Sequence, residues 1–98
     1  MARFDLYAPA RQVYLVDVQA DLLTDFGRRV VVPLLVPSQM PKPTRHLHPT
    51  LLVEQRPFLM ATHLIASVRT PELGRPKANL AHYRDEITRA LDMLLIGF

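Results

Sequence analysis

Apolar and polar residues alternate along the front of the chain, and a helical period appears only at its end. Over residues 3–7, Phe4 and Leu6 fall on one face of a strand, which Pro9 ends. Over residues 13–19, Tyr14, Val16 and Val18 share one face, and Asp17 and Gln19 take the other. Residues 20–27 form a connection with turn chemistry at Asp25-Phe26-Gly27. Residues 28–36 are an apolar run with three consecutive valines, which predicts a strand buried on both faces. Pro33 has no N–H to give a ladder and marks an edge or a bulge there. Two further strands are expected over 50–53 and 57–68, joined as a hairpin near Glu54-Gln55-Arg56.

Residues 37–49, with four prolines, form the longest loop, and 70–77 form another. Asn79 offers a helix N-cap. Leu80, Tyr83, Ile87, Leu91 and Leu94 then make a helical stripe, with Asp85, Arg89 and Asp92 opposite and Gly97 at the stop. Strands first and one helix last predict an α+β fold, mainly β: an antiparallel sheet or small barrel closed by one C-terminal α-helix.

Composition narrows the class. The 98 residues suit one domain spanning 1–98. An apolar fraction of 49% is high for so small a domain and predicts a self-association face. No cysteine is present, which removes disulfides, thiolate nucleophiles and cysteine metal sites. Charges in Met-Ala-Arg-Phe-Asp stand where a signal peptide needs an apolar run, and no segment reaches the ~18 apolar residues of a membrane span. A soluble, cytoplasmic protein is expected. The net charge of +3 favours acidic partners.

Candidate chemistry is sparse. His46-x-His48 has the side-to-side spacing zinc uses, but it lies in a proline-rich loop without cysteine or carboxylate at ligand spacing, so no metal is expected. Ser38 and Ser67 lack a glycine elbow, and three glycines cannot build a phosphate loop. Asp17 and Asp21 suit turn pinning or pairing with Arg28 and Arg29. No catalytic constellation and no cofactor are expected. Arg28, Arg29, Arg45 and His46 could neutralise phosphates, but with 7% aromatics a stacking surface is weakly supported, and no sequence-specific nucleic-acid contact is expected.

The carboxyl end is the clearest functional signal. Met93-Leu94-Leu95-Ile96-Gly97-Phe98 carries apolar bulk to a terminus, where chains usually fray. Gly97 lets the backbone leave the helix and aim Phe98 elsewhere. The end reads as a contact device, and Leu22-Leu23 before the 25–27 turn is a second apolar candidate.

Several segments together resemble one family. Val16-Asp17-Val18-Gln19-Ala20-Asp21-Leu22-Leu23, followed by Gly27-Arg28-Arg29-Val30-Val31-Val32-Pro33-Leu34, is similar to the front half of the CcdB toxins, plasmid and chromosomal proteins that poison DNA gyrase. Leu47-His48-Pro49, Met60-Ala61-Thr62 to Ala66-Ser67-Val68, and the end Leu94-Leu95-Ile96-Gly97-Phe98 resemble later family segments, so the likeness spans essentially the whole chain.

The resemblance implies an SH3-like barrel with a C-terminal helix, a homodimer, and a non-enzymatic toxin of a type II toxin–antitoxin system. Its target would be the gyrase A subunit, trapped while DNA is cut. Its second partner would be an acidic, disordered, CcdA-like antitoxin that folds on binding. Carried onto this chain, the gyrase contacts fall on Leu22 and Leu23, and on Asp92, Ile96, Gly97 and Phe98. Ile96 stands where the family usually has tryptophan, Asp92 where it has asparagine, and Phe98 where isoleucine is common. Those departures leave open a gyrase-inactive module that binds only the antitoxin. Because related barrels host RNA-cleaving toxins, a ribonuclease using Arg28, Arg29 and His46 is a further alternative.

Overall fold

The computed structural model describes residues 2–9 and 13–98. Among these, the strands are β1 (Asp5–Tyr7), β2 (Tyr14–Asp17), β3 (Arg28–Leu35), β4 (Thr50–Val53), β5 (Arg56–Met60), β6 (Ala66–Arg69) and β7 (Ala78–Asn79), and the helix is α1 (Arg84–Leu95). The sheet order is β4-β5-β3-β2-β1-β7, with β6 also on β3, and every pairing is antiparallel. The sheet curls into a half-barrel with the helix at the end of the chain, as the α+β expectation required.

Register explains which residues are buried. Leu6 pairs with Val16 and Val16 with Val32, so one face of β1, β2 and β3 carries Leu6, Val16, Val32 and Leu34 into the main core. Ile87, Ala90 and Leu91 of α1 pack into that same cluster. Each large side chain buried there is worth roughly 1.5–3 kcal/mol. The opposite face is covered too. Tyr7, Val31 and Leu73 form a second cluster beneath the 70–77 loop. The valine run is therefore buried on both faces, as its composition predicted. Phe4 sits in the main core with Leu6, but its φ of 73° places it just before the ladder.

Two elements differ from expectation. Residues 57–68 are not one strand. They form β5, a 3-10 turn at Thr62–Leu64, and β6, both strands pairing with β3. Pro33 accounts for the break. Its carbonyl faces this side of β3 and accepts from the Ala61 amide at 2.9 Å. The N–H that Pro33 lacks would point the same way, so the ladder has no donor there and the partner strand leaves it. The second difference is the helix start. α1 begins at Arg84 after a 3-10 turn at Ala81–Tyr83, and Asn79 does not cap it. Asn79 Oδ1 accepts from the Ala81 amide at 2.9 Å, and its Nδ2 donates to Asp5 Oδ1. It therefore closes a turn and ties β7 to β1 instead.

The hairpin between β4 and β5 turns through Glu54 and Gln55, both with left-handed φ (52° and 67°). Two successive residues of this kind are the mark of a tight primed turn, which favours Asn-Gly. Glu54 also reaches Lys77 at 3.7 Å, an exposed pair of little energetic weight. Replacing Glu54-Gln55 by Asn-Gly is expected to raise the unfolding free energy by about 1 kcal/mol, read from the urea midpoint at unchanged slope.

Candidate functional site

The first candidate surface is the 3-10 segment Asp21–Phe26, between β2 and β3. Asp21 Oδ1 accepts from the Arg3 amide at 2.6 Å, and Thr24 Oγ1 donates to the Asp21 carbonyl at 2.6 Å. The segment bends at Leu23 and ends at Gly27, whose φ of 73° suits glycine. This geometry separates the leucine pair: Leu22 is 86% exposed, while Leu23 is half-buried. Phe26, read from the sequence only as part of a turn, is also exposed. Its signal was a bulky aromatic in a turn with no alternating neighbour to share a face.

Beneath the segment lies a fully buried ion pair. Arg29 Nε donates to Asp17 Oδ2 at 2.7 Å and Arg29 Nη2 to Asp17 Oδ1 at 3.0 Å, and neither side chain has any exposed surface. Arg29 Nη1 reaches Thr24 Oγ1 at 3.1 Å, inside the exposed segment. Gln19 completes the seat: Oε1 accepts from the Val30 amide, and Nε2 donates to the Leu23 carbonyl at 2.8 Å. Burial pushes the Asp17 carboxyl upward, against hydrogen bonds from Arg29 and the Gln19 amide that favour its charged form. The Asp17 hydrogen bond in turn pushes the Arg29 guanidinium upward, outweighing burial. Nearby, the Tyr7 phenol is pushed up to about 12, first by burial and then by the charges of Asp5 and Asp17.

This arrangement removes Arg29 from any phosphate-binding or RNA-cleaving role, because a guanidinium with no exposed surface cannot meet a nucleic acid. Arg28 is exposed but hydrogen-bonds to Ser67 through Nε at 2.7 Å and Nη2 at 3.0 Å. Asp17 does pair with Arg29, one of the pairings the sequence allowed, while Asp21 pins the turn.

The second candidate surface is the end of α1. The Ile96 amide donates to the Asp92 carbonyl at 2.8 Å, and the Gly97 amide to Met93 and Asp92 at 3.1 Å. Gly97 then takes a φ of 97° and turns the chain off the helix axis. Leu95, Ile96 and Phe98 are all left exposed, Phe98 to 84%. Asp92 is exposed as well, and the last turn of the helix holds no basic residue. A negative charge near a helix C-terminus opposes the macrodipole and costs about 0.3–1 kcal/mol. The two surfaces sit on different supports: the 21–26 segment packs on β3, and α1 packs on Thr62–Leu64 and Ala81–Tyr83.

Elsewhere, an apolar groove of about 630 Å³ is lined by Tyr14, Leu34, Phe58 and Leu64 among others. Among the described residues, no three of His, Cys, Asp and Glu come together as a metal site. No helix of the described residues is long and apolar enough to cross a membrane.

Removing one partner of the ion pair leaves a buried charge without a counter-charge. Arg29→Met alone or Asp17→Leu alone is therefore expected to cost about 3–5 kcal/mol. The double variant should recover most of that loss, and urea unfolding of the four proteins measures the coupling.

One comparison bears on identity. The family model described as CcdB protein matches residues 3–97, nearly the whole chain and both candidate surfaces except Phe98. With the matching segments on a curled antiparallel sheet that ends in one helix, the chain belongs to the CcdB family, toxins of toxin–antitoxin systems.

Proposed function

We propose that this protein is a gyrase poison, binding the DNA gyrase A subunit through Leu22, Leu23, Asp92, Ile96, Gly97 and Phe98 and trapping the enzyme on cut DNA. The observation that carries the reading is the exposure of Leu22, Ile96 and Phe98 in a chain of this family. Apolar side chains held in water at two well-built termini, one a turn and one a helix end, suit a partner interface better than a fold requirement. Asp92 fits the same reading, since it stands where its charge opposes the helix dipole.

The proposed mechanism is binding, without chemistry on the target. The 21–26 segment and the helix end supply apolar anchors, and desolvating them on contact supplies the affinity. The ion pair and Gln19 hold the first anchor in place, so little ordering entropy is lost on docking. A homodimer would present each surface twice, and the fold's apolar excess supports that assembly. The net positive charge suits an acidic antitoxin segment in the cytoplasm.

A supercoiled-plasmid cleavage assay with purified gyrase tests the proposal. The natural chain should yield trapped, linearised DNA. Deleting residues 96–98, or Leu22→Asp, should raise the concentration needed by about 30-fold or more, the equivalent of ~2 kcal/mol per lost anchor. Ile96→Trp should lower it. A shortened chain as potent as the natural one, or silence from a folded natural chain, overturns the reading.

A further inference from the structure

The proline-rich stretch before β4 is tied down by a chain of hydrogen bonds that runs through two histidines. The Thr44 amide donates to His48 Nδ1 at 2.8 Å. His48 Nε2 meets His63 Nδ1 at 2.8 Å, with the two rings edge to face at 4.8 Å. An amide N–H can only donate, so His48 Nδ1 is the acceptor and its ring proton sits on Nε2. That proton in turn points at His63 Nδ1, which must also be bare. The tautomers of both rings are thereby set by one backbone N–H.

The turn and its anchor are otherwise lightly held. The Leu47 and His48 amides both return to the Thr44 carbonyl, at 3.2 Å and 3.0 Å. His46 takes a left-handed φ of 68°, uncommon for a residue with a side chain. Besides the histidine pair, the bond from Thr62 Oγ1 to the Leu47 carbonyl at 2.5 Å joins the turn to the Thr62–Leu64 segment. That segment packs against α1, the helix that carries the proposed gyrase contacts.

We propose that His48 and His63 form a proton-operated latch, which holds the 44–48 turn on the Thr62–Leu64 segment while both rings are neutral and releases it when the pair takes up one proton. Each neutral ring has one unprotonated nitrogen, Nδ1, and each already accepts an N–H of the chain. A proton on His48 Nδ1 faces the Thr44 N–H. A proton on His63 Nδ1 faces the His48 Nε2–H. Either position sets donor against donor and breaks one link, and a rearrangement that saves one link moves the conflict to the other.

The surrounding charges oppose a second proton. His63 is the charge that acts on His48, while Arg45 of the turn and Arg89 of α1 act on neighbouring His46. Burial, and then His63, lower the affinity of His48 for a proton. The sign follows from linkage. The folded state holds His48 neutral more firmly than the unfolded chain does. The latch's contribution is thus complete above about pH 6.5 and is lost as pH falls below it.

Nitrogen-15 NMR of the histidine rings in the full-length protein, followed from pH 8 to pH 4.5, is the test. At pH 8 the rings should show bare Nδ1 on both His48 and His63. On acidification the His48 ring should titrate with a midpoint below 6.5. The Thr44 amide resonance should move at that same midpoint, and its protection from exchange, corrected for the intrinsic rate, should fall by about tenfold per pH unit between pH 6.5 and that midpoint and level off below it. His48→Asn keeps an acceptor for the Thr44 amide without a titrating ring, so the Thr44 response should disappear in that variant. A His48 ring that titrates at the ordinary value, a Thr44 amide indifferent to it, or an unchanged acid response in His48→Asn would each overturn the latch. None of these readouts depends on gyrase, so the result stands apart from that of the cleavage assay.

Discussion

A guanidinium and a carboxylate lie under the β2–β3 pair with no exposed side-chain surface, and the segment that carries Leu22 rests on them. Each ion costs several kcal/mol to bury, and their attraction returns that cost only in good geometry. The geometry here is the two-pronged one that guanidinium and carboxylate favour. Its reach is wider than one bond. Asp17 and Arg29 are fixed on the face opposite Val16 and Val32, so a one-residue slip of β2 against β3 would turn one charge toward the main core and leave the other buried without its partner. The pair therefore specifies register, and through Thr24 and Gln19 it also specifies the shape of the loop that leaves the sheet.

That loop and the helix end share a design. Each is fastened through its backbone and polar groups, and each leaves large apolar side chains in water. In the 21–26 segment the fastening comes from Asp21, Thr24, Gln19 and Arg29. At the helix end it comes from three backbone bonds and the left-handed Gly97. A surface made this way keeps its apolar groups ordered before any partner arrives, which lowers the entropic cost of binding. The central strands β1, β2 and β3 contribute to core clusters on both faces, an economical way for a small chain to support exposed apolar bulk.

Much of this was legible from residue order. The alternation in residues 13–19 and the valine run of 28–36 announced their strands, because period-two burial leaves a local trace. The terminal stripe announced the helix body for the same reason. Boundaries were less legible. Residues 57–68 satisfied a strand pattern throughout, yet Pro33, more than twenty positions away, removed the donor their ladder needed. Asn79 had the chemistry of a cap, but its side chain was claimed by Asp5, a residue from the other end of the chain. Arg28 and Arg29 looked equivalent side by side. Strand geometry sends adjacent side chains to opposite faces, so one reaches Ser67 at the surface and the other is sealed on Asp17.

By itself, the sequence determined the class of fold, the two-sided burial of the valine strand, the apolar helix end and the family. All of these rest on residue type and short-range period, which one chain carries openly. Tertiary structure decided which of two neighbouring leucines faces water, that Phe26 joins Leu22 at the surface, and that Arg29 is a buried partner instead of a surface cation. It also brought His48 and His63, fifteen residues apart, into hydrogen-bond contact. These outcomes depend on pairings between distant segments, and the hydrogen-bonding capacity of a side chain does not say which distant group will claim it.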